Sequence, residues 1–151
     1  MLSRLYRLST NDNITQLHNR LSLYRRFRRG FPANMHMVYL DVNKFKQIND
    51  TYGHDVGDQM LRTLAHHIKL HWKGKSYRIG GDEFILVSQR PYASIMQMLK
   101  PIQQFSLLSN KTGELLEVSV SMGIVKSDGS PIDEIMHRAD QEMYLNKQGK
   151  K

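Results

Sequence analysis

The hydrophobic and polar positions along the first half of the chain form three successive patterns. Residues 35–42 are apolar on both faces, which predicts a central strand in a covered sheet. Before them, residues 17–29 carry apolar positions at helical spacing, and Gly30 and Pro32 end that pattern. A second helical pattern begins in the mid-fifties and reaches about residue 72. A helix, a buried strand and a longer helix are therefore expected in this order.

The second half alternates between short strand patterns and helical ones. Residues 75–79 and 84–88 predict two strands joined by a glycine-rich hairpin tip, and residues 115–125 predict another strand. A helix is expected over residues 92–105, weakened by Pro101, and a last helix begins with Ser130 as N-cap and Pro131 at the first helical position. Interleaved strands and helices predict an α/β or α+β domain with one mainly antiparallel sheet flanked by helices.

Composition narrows the class of protein. A chain of 151 residues with 40% hydrophobic and 24% charged residues is typical of one globular domain. No apolar run approaches the ~20 residues that cross a bilayer, and the N-terminus lacks the apolar stretch of a signal peptide. Without cysteine there is no disulfide scaffold, thiolate nucleophile or cysteine-based zinc site. A cytoplasmic domain is the expectation.

The net charge of +8 indicates anionic partners, such as phosphate-bearing ligands, nucleic acid or an anionic membrane surface. The densest basic run, at residues 25–29, holds four arginines. One run of four is too small to carry recognition of nucleic acid, so we interpret it as the solvated end of a helix. No nucleic-acid partner is expected.

Polar residues that could bind a ligand or take part in catalysis are concentrated in two segments. Residues 41–58 hold carboxylates, amides and lysines between a buried strand and a helix, and residues 80–84 form the hairpin tip. If the two strands are neighbours, Asp41 and Asp82 converge at one end of the sheet. Two carboxylates with water and substrate phosphates suit Mg²⁺, which favours a metal and nucleotide site. Taken singly, each segment is also consistent with a solvated turn and a helix cap.

Four motifs in order resemble the GGDEF domain, the diguanylate cyclase family. The first is the intact Gly80-Gly81-Asp82-Glu83-Phe84 loop, preceded by Arg78. The second is the Asp-x-Asp-x-Phe-Lys-x-Ile-Asn-Asp pattern, which continues to Asp58 and has Asn43 in place of the second Asp. The other two are an N-terminal pattern from Asp12 to Arg20 and a C-terminal pattern from Ala139 to Lys147. The resemblance implies a sheet related to the palm of nucleotidyl cyclases and polymerases. It also implies condensation of two GTP into cyclic di-GMP with loss of two pyrophosphates, in a homodimer that uses Mg²⁺ or Mn²⁺.

The resemblance also implies roles for single residues at the metal and phosphate positions. Asp41 and Asp82 would supply metal carboxylates and Val42 its backbone carbonyl. Either Asp82 or Glu83 would accept the proton of the attacking hydroxyl. The phosphate-side candidates are the catalytic Lys46, the C-terminal Lys147, and the backbone N–H groups of Lys44 and Phe45.

For the base, the resemblance points to Asn49 and Asp58. Guanine presents paired N–H donors that an ionised carboxylate accepts, whereas adenine does not. His54 fits either a substrate contact or a turn-stabilising role. A non-catalytic module that binds GTP or cyclic di-GMP is the alternative, favoured by Asn43 and by a tail that departs from the family pattern, with Lys150 or Lys151 in place of its last arginine.

The motifs also set the expected domain limits. Residues 1–11 are assigned to the end of a linker or signalling helix, and residues 12–151 to the GGDEF domain. A chain that begins so close to the first motif is expected to be a fragment of a larger protein. That parent would carry a sensory domain and would, if membrane-anchored, keep this domain on the cytoplasmic side.

Overall fold

A computed structural model of the protein describes residues 9–148. The first eight residues, assigned above to a linker helix, and Lys150 and Lys151 lie outside the described residues. The elements in chain order are β1 (His18–Asn19), α1 (Arg20–Arg26), β2 (His36–Val42), α2 (Phe45–Tyr52), α3 (His54–His71), β3 (Lys75–Arg78), β4 (Glu83–Ser88), α4 (Tyr92–Gln103), β5 (Gln104–Leu108), β6 (Leu115–Lys126) and α5 (Ile132–Gln148).

Six strands form one sheet in the order β1-β3-β4-β2-β6-β5. Only the β1–β3 pair is parallel, and the other four pairs are antiparallel. The predicted class, a mainly antiparallel sheet flanked by helices, is confirmed. Since β2 lies between β4 and β6, Asp41 is opposite both Glu83 and Ser121. This register brings the end of β2 to the tip of the β3–β4 hairpin.

The sheet is covered on both faces, which explains why β2 is apolar throughout. Val38 and Leu40 belong to a core cluster with α3 and α4, whereas Met37 and Tyr39 belong to a second cluster with α1 and α5. Successive side chains of a strand point to opposite faces, so each of these residues is buried in one of the two layers. Burying a large apolar side chain contributes roughly 1.5–3 kcal/mol, so β2 anchors both halves of the core.

The last helix packs unusually close to the sheet. A Cβ placed on Gly123 of β6 would collide with backbone atoms of Ala139 and Met143 in α5. Only glycine therefore allows α5 to lie at this depth against β6. The same helix carries Lys147 one turn further along, toward the end of β2.

Some element boundaries differ from the expectation. The first helix begins at Arg20 because the Asn19 side chain accepts a hydrogen bond from Ser22 N, while His18 and Asn19 pair with β3. The predicted cap at Ser130 is wrong. The hydroxyl of Ser130 donates to Asp128 instead, and the carbonyl of Pro131 accepts the first bonds of α5.

Three elements, β1, α2 and β5, were not expected from the pattern. The helix α2 lies inside the polar segment. Phe45 and Ile48 share its apolar face and pack half-buried against the core, but this face is too short to stand out among the polar residues as a helical period. The helix α4 ends at Gln103, and β5 follows without a turn, where the pattern predicted that the helix would continue to residue 105. No helix among residues 9–148 is long and apolar enough to cross a membrane.

Candidate active site

The hairpin tip between β3 and β4 is held by Arg78. Its guanidinium donates to the carbonyls of Gly80 and Gly81 and forms an ion pair with Asp12 at 2.9 Å. Asp12 also accepts two hydrogen bonds from Thr15, at its backbone N–H and its hydroxyl. The N-terminal motif is therefore a clamp on the hairpin tip, which we call the Asp12–Arg78 clamp.

The clamp is built to stay charged. Burial raises the pKa of Asp12, but hydrogen bonds from Thr15 and Arg78 outweigh it and hold that pKa below its usual value. Both side chains of the pair are more than four-fifths buried. A partly buried, multiply bonded arginine–carboxylate pair is stronger than an exposed one, so the tip is rigidly placed.

Three charged side chains converge where β2 ends. Asp41 Oδ2 accepts from Lys147 Nζ at 3.1 Å, and Val42 N donates to the carbonyl of Asp82 at 3.2 Å. Burial, a hydrogen bond shared with Asp41 and the charge of Asp41 raise the pKa of Asp82 to about 7. Oδ1 of Asp41 is buried without a hydrogen-bond donor. The predicted convergence of Asp41 and Asp82 is present in the structure.

A divalent cation fits this arrangement. Two carboxyls forced together, one with an orphaned buried oxygen, repel each other when both are ionised, and a cation between them removes that repulsion. Among residues 9–148, no three His, Asp or Glu side chains surround a common point. Further ligands would come from a backbone carbonyl, water or substrate phosphates, which is the pattern that Mg²⁺ favours.

Glu83 is fixed by a tyrosine on the neighbouring strand. The Tyr39 hydroxyl donates to Glu83 Oε2 at 2.6 Å. Burial, followed by the hydrogen bond and charge of Glu83, raises the pKa of Tyr39, so the phenol remains a neutral donor across the physiological range. Glu83 is thereby held beside Asp82 with one oxygen engaged.

The start of α2 presents free backbone donors beside these carboxyls. Lys44 caps the helix in the left-handed conformation, with φ of 60°, and its carbonyl accepts from Ile48 N. No side chain caps this end, so the first N–H groups of α2, beginning with that of Phe45, remain available to an anion. Lys46 is exposed in this first turn and takes part in none of the ion pairs found within residues 9–148.

The candidate base-binding residues meet where α2 and α3 pack together. Gly57 touches the side chain of Asn49 so closely that a Cβ at position 57 would collide with Oδ1. That oxygen is buried without a hydrogen-bond partner. Asp58 follows Gly57 directly and is half-buried, and His54 is exposed at the start of the same helix. The structure therefore packs Asn49 of α2 against Gly57 of α3, the residue before Asp58, with an unpaired acceptor between the helices.

Comparison with known families now decides the class. The family described as "Diguanylate cyclase, GGDEF domain" matches residues 9–151. The chain belongs to this family. Its relatives include the diguanylate cyclase DgcZ of Escherichia coli K12, which is 32% identical over 155 residues covering 93% of this chain, and DosC of the same strain, 31% identical over 90% of the chain. The chain spans 51% of the length of DgcZ and 32% of that of DosC.

Solved structures agree with the assignment. The GGDEF domain of DgcB from Caulobacter crescentus, in complex with c-di-GMP, is 27% identical, with a TM-score of 0.84 over 96% of this chain and 94% of that one. The diguanylate cyclase SiaD from Pseudomonas aeruginosa, in complex with its activator SiaC, is also 27% identical, with a TM-score of 0.83 over 97% of this chain and 61% of that one. The order of elements described above is thus that of a GGDEF domain.

This GGDEF domain departs from the family pattern at Asn43, and the structure gives the reason. Asn43 Nδ2 donates to the Ser119 hydroxyl at 2.8 Å, and Oδ1 accepts from the Ser121 hydroxyl at 2.6 Å. Both ends of the side-chain amide are therefore hydrogen-bonded, and they connect the end of β2 to β6. The asparagine is therefore a structural tie, and it leaves Asp41 and Asp82 in place.

The pattern of residue types did not reveal the roles of Asp12, Arg78 and Tyr39. Asp12 and Arg78 are 66 residues apart, so the sequence gives no indication that they form an ion pair. The Asp12-x-x-Thr15 spacing does indicate a local capped turn, and that signal alone could have predicted a folded N-terminal segment. Tyr39 lies within the apolar run of residues 35–42, a pattern that indicates core packing and gives no sign of a polar role.

Proposed function

We propose that this GGDEF domain condenses two molecules of GTP into cyclic di-GMP and releases two pyrophosphates. The observation that carries the proposal is the pair Asp41 and Asp82, brought together with one carboxyl of raised pKa beside a helix start with free N–H groups. The names of the relatives, diguanylate cyclases at about one-third identity, support the same reaction.

Asp41, Asp82 and the carbonyl of Val42 are the groups that would hold Mg²⁺ or Mn²⁺. When bound, such a cation lowers the pKa of a coordinated hydroxyl and offsets negative charge on the transferring phosphate. The protein's own contribution is position. Strand pairing fixes Asp41, and the Asp12–Arg78 clamp fixes the tip that carries Asp82.

In the proposed reaction, the 3′-oxygen of each GTP forms a bond to the α-phosphorus of the other. The bond from that phosphorus to the pyrophosphate oxygen breaks, and the hydroxyl proton passes to a carboxylate. Asp82 is the first candidate base. Its raised pKa belongs to the metal-free protein, and a bound cation would lower it. Glu83 is the second candidate base, because Tyr39 binds only one of its oxygens.

The triphosphate would lie against the start of α2. The backbone N–H groups of Lys44 and Phe45 supply donors there, and the exposed Lys46 supplies a mobile charge. Lys147 forms an ion pair with Asp41, and it would become available to a phosphate once a cation neutralises that carboxylate. These groups bind and orient the phosphates.

Guanine would be held by residues of α2 and α3. Asn49 has an oxygen without a hydrogen-bond partner and Asp58 offers a second acceptor, which together match the N1–H and 2-amino donors of guanine. His54 is exposed at the start of α3, where it could contact the nucleotide. A cyclic product built from two nucleotides requires two facing half-sites, so a homodimer would be the active form. We place the reaction in the cytoplasm, where GTP is available.

The test is to incubate the purified chain with GTP and MgCl₂ and to separate the products by chromatography. Cyclic di-GMP and pyrophosphate should form in a ratio of about one to two, as the reaction requires. Asp41→Asn should abolish product, whereas Asp133→Asn, an exposed position at the start of α5, should not. Binding of GTP without product, at high protein concentration, would favour the non-catalytic module instead.

A further inference from the structure

The strand β6 is longer than its outer partner. β5 pairs only with its first part, from Leu115 to Ser119. From there to Lys126, β6 pairs with β2 on its inner side, and within residues 9–148 no strand pairs with its outer side. This second half of β6 therefore has an open edge.

The direction of the backbone groups at this edge follows from the pairing. The carbonyl of Ser119 accepts from Asn43 N, and Ser127 N donates to the carbonyl of Met35, so the odd-numbered residues face β2. Since both backbone groups of a residue in an antiparallel strand point to the same neighbour and alternate along it, Met122 and Ile124 face outward.

One outward carbonyl already has a substitute partner. The side-chain amide of Asn146, on α5, donates to the carbonyl of Met122 at 2.7 Å. An amide N–H is the group that another strand would offer at this point. The edge is thus shown to accept an amide donor from outside the sheet, and the N–H and C=O of Ile124 lie one step further along it.

The open edge lies at the base of a cavity of about 520 Å³ between α4 and α5, which we call the β6 slot. Its walls carry exposed apolar side chains: Tyr92 is 56% exposed, Met96 41% and Leu145 60%. The 12 residues of α4 run beside it for ~18 Å, which is the length of about five residues of extended chain. An exposed apolar groove of this kind marks an interaction surface.

Charge further limits what fits. Lys100 lines the slot, and the exposed Lys126 ends β6 two residues after Ile124. No Asp or Glu lines it, and neither lysine belongs to an ion pair within the described part of the chain. A ligand with carboxylates near its two ends is therefore complementary.

We propose that the β6 slot accepts an extended peptide segment of a partner protein as an added strand. The segment replaces the Asn146 amide at the carbonyl of Met122, pairs also with Ile124, carries apolar side chains in its middle and has an acidic residue toward each end. Backbone pairing supplies affinity in such additions, and side-chain pockets supply specificity. A single strand needs only ~4.8 Å of width, whereas a second copy of this chain would have to bring its own α4 and α5 into the same space.

The probe is the acetylated and amidated pentapeptide Glu-Val-Leu-Val-Glu, followed by NMR of the ¹⁵N-labelled protein. We expect the amide signals of Met122 and Ile124 to shift on titration, and hydrogen exchange at Ile124 to slow. The same peptide with an N-methylated leucine cannot pair through its central amide, and it should bind at least about tenfold more weakly. Equal binding of the two peptides, or shifts confined to another surface, would overturn the proposal.

Matched variants separate the slot from general stickiness. Leu145→Glu should weaken binding roughly tenfold, because it removes an apolar wall and repels the acidic peptide. Leu70→Glu makes the same change at a 58% exposed leucine of α3 and should leave binding within about twofold. Equal loss in both variants would refute the site. So would protection of Ile124 that grows with protein concentration without peptide, since a second copy would then fill the slot.

Discussion

The raised pKa of Asp82 makes a prediction that separates stability from activity. Asp82 titrates at about 7 in the folded protein, above its usual 3.8, because it is half-buried beside Asp41. A group with a raised folded pKa stabilises the protein below its unfolded pKa, and that stabilisation is lost as pH rises through its folded pKa. Without metal, the folded protein should therefore lose stability between about pH 4 and pH 8.

The size of the effect follows from the shift. About three pKa units correspond to about 4 kcal/mol for a fully shielded group, and partial solvent exposure reduces this to about 1–2 kcal/mol. For a domain of this size, that equals roughly 3–6 °C in melting temperature. Asp82→Asn removes the charge and keeps the shape. It should raise the melting temperature at pH 8 by this amount in EDTA, while abolishing synthesis of cyclic di-GMP.

The assay is thermal unfolding in EDTA at pH 5 and pH 8, repeated with excess MgCl₂. The wild-type protein should gain stability from the cation at pH 8, and Asp82→Asn should gain much less. Asp133→Asn is the control and should follow the wild type, because Asp133 is exposed and an asparagine Oδ1 can still accept the hydrogen bond from the Tyr24 hydroxyl. Parallel pH profiles for wild type and Asp82→Asn in EDTA would refute the coupling between Asp41 and Asp82.

Other predictions concern the base-binding residues, the clamp and assembly. Asp58→Ala should reduce the preference for GTP over ATP by at least about tenfold in titration calorimetry, and an unchanged ratio would remove Asp58 from base recognition. Arg78→Ala should cost about 1–3 kcal/mol in urea unfolding, and a double-mutant cycle with Asp12→Ala should show coupling, whereas strictly additive losses would mean that the clamp is not formed. Specific activity should rise with protein concentration, and a flat value over a hundredfold dilution with only monomer in sedimentation would contradict the need for a dimer.

The sequence predicted the elements that have long apolar patterns. The strand β2 was predicted because it is apolar on both faces and contributes to both core layers, and the helix α3 because one of its faces is apolar and fills one layer. The convergence of Asp41 and Asp82 was predicted because it needed only that the hairpin be adjacent to β2. Tertiary placement then followed from a single strand pairing.

What escaped the sequence depends on contacts between distant residues. The helix α2 buries no residue fully and has no side-chain cap, and only the half-buried Phe45 and Ile48 pack against the core, so its apolar pattern is too short to predict a helix. The Asp12–Arg78 clamp and the amide tie of Asn43 to β6 join segments more than 60 residues apart. A single sequence shows the residue types at both ends and gives no indication that they meet.

The close contact at Gly123 fixes the rotation of α5 about its own axis. A helix advances by 100° per residue, so its angular setting decides where every later side chain points. Gly123 receives the backbone at Ala139 and Met143, which fixes that setting. Lys147 follows Met143 by four residues, close to one full turn, and so inherits the orientation that carries it to Asp41. Deleting one residue between Met143 and Lys147 would swing the ammonium group about a quarter of a turn away from the carboxylate, although Ala139 and Met143 would remain in place against Gly123.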